Sequence, residues 1–563
     1  LIGPNCIGII TGTYKGVFAG PIPEYDPMGC DCVSASGATM VYLLEVAIPR
    51  GLKFRDIFSI GNSAQVSVED VLQYWDESFD TNSSSRIKLL YMEQIGDPAR
   101  FLKHARSLVK KGCRIAAIKA GSTEAGGRAV SSHTGALAGS DSAVSALFRK
   151  AGIIRCYSRV ELVYVAAIFT LKPLKGDRMA VITHAGGPGV MLTDILVKGG
   201  MKVPRLEGVK AEALLCKLHP GSSVSNPIDF LATGNAEQLG EILDAVENDF
   251  ENIDGSIVVF GTTGMWSVDD VYMVLHEKMR SCKKPIFPIL PSAIQAAEEV
   301  SHFHAMGHVN FTDEVSFGYV LTRVNKIQPP YEEPVLPVVD EKKIREIVDN
   351  SNDGYLDAGF VFDLLDAAGI PTVKQSNVRS PNNLKRIPGL FEFPLVMKVV
   401  GPLHKSDVGG VITGINHLHE MENAYGQLMK IEGAEAVLVQ EQINGIEIYM
   451  GVKAEDEFGH QVLVGLGGIF VEVFKDVSAA LVPIGKTEAL SMIRHLRSYP
   501  VIKGIRGKEG VNEDLLAKTL MQLSALVKCA PEIEEMDINP LMGRGDRLVA
   551  VDARIRIVKT CPE

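Results

Sequence analysis

Two stretches of the chain repeat one pattern of apolar and small residues. "CDCVSASGATMVYLLEVAIPRGLKF" (30–54) and "RMAVITHAGGPGVMLTDILVKGGMKV" (178–203) each read as a short apolar strand, a small-residue turn, an amphipathic helix, then glycine and a second strand. Each is a βαβ opening. Unbroken apolar runs alternating with helical patterns continue through "IKLLYME", "RIAAIKA", "GSIVVFG" and "PIFPIL", as strands buried on both faces of a parallel sheet require. The pattern predicts two flavodoxin-like α/β domains, at about 1–172 and 176–325.

The stretch "IQPPYEEPVLPVVD" (327–340) is proline-rich and polar and reads as a linker. After it the pattern changes. In "FPLVMKVV", "AVLVQEQI", "IEIYMGVKAED", "HQVLVGLGG" and "RLVAVDARIRIV" apolar residues often alternate with polar ones, which predicts a mixed or antiparallel sheet with one covered face.

Composition narrows the function. With 563 residues, 46% of them hydrophobic, the chain can bury several cores. The net charge of −11, without a long basic tract, argues against nucleic acid and points to small ligands held at local sites. Nine cysteines without dense regular spacing suggest free thiols in a reducing, intracellular and cytoplasmic setting, and the Cys30–Cys32 pair lacks the second pair that a zinc site would need. No apolar run is long enough to span a membrane. Because the chain opens in "LIGPNCIGII" without methionine, it reads as a fragment, and organelle targeting by a preceding segment stays open.

Glycines sit where strand hands over to helix in both repeats: Gly37 beside Ser36 in the first, and Gly186, Gly187 and Gly189 in the second. A helix N-terminus presents unsatisfied N–H groups and partial positive charge, so a glycine-lined one can hold a phosphoryl group. A third small-residue stretch, "SSHTGALAG" (131–139), clears the space around His133. An ordinary turn would read the same from these nine residues alone. A histidine nucleophile needs one ring nitrogen free and the other held by an acceptor. Glu93, at the predicted strand end in "LLYMEQIGD", is the natural carboxylate, with a solvated strand-end acid as the alternative.

"GPNCIG", "SASGA", "GNSAQVSVEDVLQYW", "YMEQIGDP", "SSHTGALAGSD", "THAGGPGVM", "NPIDF", "MKVVGPLHKSDVGGV" and "EMDINPL" follow one another here in an order that resembles the ADP-forming acyl-CoA synthetases, relatives of succinyl-CoA synthetase. The resemblance covers essentially the whole chain. It implies a remnant of a CoA-binding domain (1–12), a succinyl-CoA-synthetase-like flavodoxin domain with a phosphohistidine (13–172), a second flavodoxin-like domain (176–325), a linker (326–340) and an ATP-grasp α+β domain (341–563). It implies that His133 is phosphorylated, that Glu93 supports it, and that the two small-residue turns grip the phosphate. Small carboxylic acid, CoA and ATP are the expected substrates, Mg²⁺ the cofactor, and a homo-oligomer, a dimer, the expected assembly.

Within the ATP-grasp part, Lys398 of "VMKVV" resembles the lysine that contacts nucleotide phosphates, a point charge suited to that task. "VQEQI" (439–443) resembles the adenine-contacting hinge, with Glu441 and Ile443 in it. Asn539 of "DINPL" and Asp552 of "AVDAR" offer hard oxygen ligands for Mg²⁺, supported by Asp537. His404 of "LHKSDVGGV" resembles a second histidine that relays phosphate towards the nucleotide, with plain hydrogen bonding to phosphate as the alternative.

The chain departs from the family's usual pattern at three points. "SASG" stands where "SQSG" is common, and "THAGG" where "TNAGG" is, which sets His184 beside the expected phosphate site. "DVSAALVPI" lacks the arginine usual near Ala480. An acyl-CoA-sensing, catalytically degenerate region of a protein acetyltransferase is the competing reading. The presence of His133, Glu93, Asn539 and Asp552 favours the enzyme.

Overall fold

The strand Tyr25–Ser34 starts exposed and ends in six buried residues, because a strand with helices on both faces has no solvent side to alternate with. It lies between Phe54–Ser59 and Ile87–Met92, followed by Arg114–Lys119 and Ile154–Cys156, all parallel. In chain order these five strands are arranged 2-1-3-4-5, the flavodoxin-like order, with its switch point between Tyr25–Ser34 and Ile87–Met92. Gly8–Ile10 and Lys15–Val17 extend this sheet antiparallel beyond Phe54–Ser59, and Ile7 and Ile10 are buried in its core. This computed structural model describes residues 1–559 apart from 127, 129–139, 263, 265–266, 402–408 and 469. His133 and His404 therefore lie outside the described residues.

The second sheet is parallel, with Met179–Thr183 flanked by Ile228–Asp229 and by Gly255–Val259, and Ile286–Ile289 outermost. Leu162 and Ile168 of the helix Arg159–Thr170 share one apolar core with Leu192 and Leu196 of Gly186–Lys198 and with Phe317 and Val320 of Glu314–Val324. The two sheets thus belong to one compact unit, Leu1–Pro330.

Inside the first sheet the Lys88 ammonium, 1% exposed, faces the Asp31 carboxylate and the Trp75 ring. Burial pushes the Asp31 carboxyl up to about 6 despite that partner. Removing one member of a buried pair leaves an uncompensated charge, which costs about 3–5 kcal/mol, more than the intact pair contributes. Asp31→Asn is therefore expected to lower the denaturation midpoint sharply, while the double change Asp31→Leu, Lys88→Met recovers most of the loss. Equal midpoints for Asp31→Asn and the parent chain would contradict this account.

The unit Tyr331–Glu563 is built differently. A small antiparallel sheet orders Gln375–Val378, Ala436–Glu441, Leu395–Val400 and Val411–Ile415. A larger one orders Gly354–Tyr355, Ala553–Ile557, Ile533–Arg544, Ile446–Glu455, Gly459–Leu466 and Val477–Leu481, with Arg547–Ala550 also paired to Ile533–Arg544. In Ala553–Ile557 buried and exposed residues alternate strictly, the signature of a sheet covered on one face. Among the described residues no helix is long and apolar enough to cross a membrane.

Candidate active site

Both small-residue turns are held by the same device. The Ser34 hydroxyl donates to the Ser36 carbonyl (2.7 Å) and accepts the Ser36 N–H (3.1 Å). Thr183 does the same with Ala185, at 2.7 and 3.0 Å. A hydroxyl at the last strand position thus fixes how each helix starts. Ser36 then caps its helix, its Oγ accepting the Thr39 N–H at 3.3 Å.

The glycines divide by role. The Gly37 N–H already donates to the Asn5 carbonyl at 2.8 Å, and a Cβ there would sit 2.5 Å from that oxygen. A Cβ at Gly189 would sit 2.8 Å from Thr183 Cγ2. At Gly37 and Gly189 a Cβ therefore has no room, against the Asn5 carbonyl in one case and the Thr183 methyl in the other. Gly187 faces open space, and the nearest atom to a Cβ on Gly186 is Asp229 Oδ2, at 3.2 Å. The open part of the second turn is therefore Gly186–Gly187, bordered by a carboxylate.

Glu93 follows the strand Ile87–Met92 at the switch point, where the Ala35 N–H donates to the Tyr91 carbonyl at 3.0 Å and joins the first turn to this strand end. The Tyr91 hydroxyl donates to Glu93 Oε1 at 3.4 Å. A cleft of about 360 Å³ here is lined by Ala35, Asn62, Ser67, Glu69, Glu93 and Gly96. Glu69, 3% exposed, accepts the N–H groups of Gly96 (2.8 Å) and Asp97 (3.2 Å) and so pins the loop that carries Glu93.

His184 lies at the matching edge of the second sheet. Its ring packs on Phe260, centroids 4.3 Å apart, and Nδ1 is 3.3 Å from the Val259 carbonyl. A carbonyl only accepts, so Nδ1 carries the hydrogen and Nε2 is left as an acceptor. Burial holds the imidazole below its ordinary pKa, so it stays neutral near pH 7.

In the second unit the nucleotide candidates converge in part. Lys398, 5% exposed, donates to the Val551 carbonyl at 3.1 Å and lies 3.6 Å from the Asp552 carboxylate. The same carbonyl accepts from the buried Gln440 at 3.1 Å. Asn539 donates its N–H to the Asp552 carbonyl (3.1 Å), and its Oδ1 accepts the Gly468 N–H (2.7 Å). Asp537 stands two residues before Asn539 on the same strand, and its Oδ1 is buried without a hydrogen-bond partner among the described residues. Burial, ahead of the like charges of Glu535 and Asp552, raises its carboxyl. Glu441, 4.0 Å from Lys374, ends the strand Ala436–Glu441, and Ile443 packs against Phe362, Val373 and Val549. Ala480 is buried in the apolar core of the larger sheet.

This donor set fits Mg²⁺. Among the described residues no cluster of three or more His, Cys, Asp or Glu side chains is arranged to hold a metal, but Mg²⁺ keeps several waters and substrate phosphate oxygens and needs only one or two carboxylates. Asp552 and Asp537 are two carboxylates of that kind.

Residues 27–169 match the succinyl-CoA-ligase-like flavodoxin domain family, and residues 348–557 match the ATP-grasp domain family. The chain is 30% identical to the ADP-forming acetate–CoA ligase I of Archaeoglobus fulgidus over 99% of its own length and 82% of that protein. It is 32% identical to the ADP-forming acetate–CoA ligase of Methanocaldococcus jannaschii over the same two shares. The chain belongs to the ADP-forming acyl-CoA synthetases. A solved dinucleotide-forming acetyl-coenzyme A synthetase 1 of Ca. Korarchaeum cryptofilum, in complex with phosphate and ADP, shares the fold, with TM-score 0.51 and 23% identity over 57% of this chain and 70% of that one. The synthetase is thus an acid–thiol ligase, and its relatives, which are ligases, favour the enzyme over the sensor reading. Sequence reasoning about this synthetase missed Glu69 and Gln440. Each is a polar residue buried at a strand or helix end, and no local pattern separates such residues from solvated ones.

Proposed function

We propose that the synthetase converts acetate or another small carboxylic acid, CoA and ATP into acyl-CoA, ADP and phosphate, reversibly, through phospho-His133 and an acyl phosphate. The observation that carries this reading is that Glu93 lines one cleft with Ala35, next to Ser36, at the switch point of the first sheet, where ligands of such folds bind. The names of the two archaeal relatives support acetate.

In this reading, phospho-His133 passes its phosphoryl group to a carboxylate oxygen, leaving a free ring nitrogen and a mixed anhydride. The CoA thiolate then attacks the carbonyl carbon and phosphate leaves. Glu93 holds the far ring nitrogen of His133 and stabilises the positive charge that phosphorylation places on the ring. Lys398 neutralises nucleotide phosphates, Glu441 and Ile443 line the adenine hinge, and Asp552, Asn539 and Asp537 hold Mg²⁺. When bound, Mg²⁺ offsets charge on the transferring phosphoryl group. A homodimer is proposed as the assembly.

His404 is assigned the relay between nucleotide and His133, because transfer needs the reacting atoms within about 3–3.5 Å. His404→Ala is expected to block labelling of His133 from ATP while sparing its labelling from acyl phosphate, read by mass spectrometry of the intact chain. Normal labelling from ATP would remove the relay. Equal loss from both donors would assign His404 a shared binding role instead.

A further inference from the structure

A cavity of about 290 Å³ lies at the edge of the first sheet opposite to Glu93. Arg114 opens the strand Arg114–Lys119 there, and the far end of that strand, about 17 Å away, belongs to the edge that carries Glu93. The walls come from both sheets of the unit Leu1–Pro330: Phe169 at the end of the helix Arg159–Thr170, Phe287 of Ile286–Ile289, Leu321 in the last turn of Glu314–Val324, and Leu174 and Ile327 from the connections. Phe169, Phe287 and Leu321 are all buried. Nothing in the sequence marked these residues as a site.

Arg114 distinguishes this cavity. A guanidinium has several N–H donors in a fixed fork and stays protonated in any protein. One donor of Arg114 reaches the Phe169 carbonyl at 3.5 Å, long for a hydrogen bond, and the group lies 5.5 Å from the Phe169 ring centroid. Among the described residues no carboxylate pairs with it, and burial, with no acidic group opposing it, holds the guanidinium below its ordinary pKa. Capping the carbonyl end of Arg159–Thr170 engages one donor and leaves the rest half-buried and unmatched, a costly state for a charge. The other cation at the cavity, Lys172, is committed, its ammonium donating to the Arg280 and Cys282 carbonyls. The cavity thus offers one cation with unmatched donors, set in apolar walls.

We infer that this cavity is a second ligand site of the synthetase, away from the reacting edge, which binds a monocarboxylate with an apolar body: the carboxylate on Arg114, the body against Phe169, Phe287 and Leu321. The guanidinium fork matches the two oxygens of a carboxylate. A single cation does not match the phosphates of a nucleotide, and free phosphate gains nothing from apolar walls. Acetate has the charge but no body to bury, and a neutral apolar molecule leaves Arg114 unmatched. The inference does not depend on the reaction proposed for His133.

Isothermal titration of hexanoate into the full chain, without ATP or CoA, tests it. Each buried methylene is worth about fourfold in affinity, so hexanoate is expected to bind at least about tenfold more tightly than butyrate, with acetate and hexanamide failing to displace it. Arg114→Gln is expected to weaken hexanoate binding at least about tenfold, the scale of a hydrogen bond to a charged group. Ile327→Trp, at an exposed position on the cavity wall, is expected to weaken it as much by filling the space, and it keeps the fold even if Arg114→Gln does not. An acid held at the reacting edge would keep its affinity in both variants, so parental affinity in Ile327→Trp, or in a folded Arg114→Gln, would overturn the assignment. Absence of hexanoate binding to the parent chain, or hexanamide binding as tightly as hexanoate, would do the same.

Discussion

In the complete protein, His133→Ala is expected to abolish acyl-CoA synthesis, with a loss of at least about 10³-fold and no change in the denaturation midpoint. The scale follows from removing a nucleophile through which all the phosphoryl flux passes. The unchanged midpoint is expected because the residues beside it in sequence, Ser131, Ser132, Thr134, Gly135 and Ala136, are all small. Incubation of the parent chain with Mg-ATP is expected to leave an acid-labile, base-stable adduct on His133, as a phosphoramidate must. An acid-stable adduct on Ser131, Ser132 or Thr134 would remove His133 from the mechanism, and residual synthesis near the parental rate in His133→Ala would do the same.

Glu93→Gln is expected to slow phosphorylation of His133 by about 10²-fold or more, the scale of a positioned acid–base partner. The amide keeps the shape and can still accept from the Tyr91 hydroxyl, now at 3.4 Å from Oε1. Glu69 continues to hold Gly96 and Asp97, so the loop stays in place. Only the negative charge is lost, and with it the stabilisation of a ring that becomes positive. The readout is the single-turnover labelling rate with saturating Mg-ATP. An unchanged rate would show that another group orients His133. A collapse of nucleotide binding instead of the labelling rate would mean that the substitution had disturbed more than the charge.

The repeated βαβ openings, the two parallel sheets and the change to antiparallel sheets after the linker follow from local periodicity. "MAVIT" is apolar up to its last residue because both faces of Met179–Thr183 are covered, and "ARIRI" alternates because one face of Ala553–Ile557 is open. The placement of Ser36 and Glu93 at one edge was also legible, since a parallel sheet brings all its strand-to-helix turns to the same side.

What a glycine is for was not legible. Gly37 and Gly187 look alike in sequence, yet one is backed by the Asn5 carbonyl and the other faces open space. Nor was the convergence of Lys398 and Gln440 on the Val551 carbonyl, across more than a hundred positions of chain. The burial of Lys119 without a hydrogen bond among the described residues and the single core shared by both flavodoxin-like sheets are of the same kind. Side-chain periodicity encodes which face of an element is covered, because that depends on successive residues of one segment. It does not encode what covers it. By itself the sequence determined the elements, their order and the chemistry available at their ends. Tertiary packing decided which backbone and side-chain groups were left free to meet a ligand, because that depends on atoms brought together from distant parts of the chain.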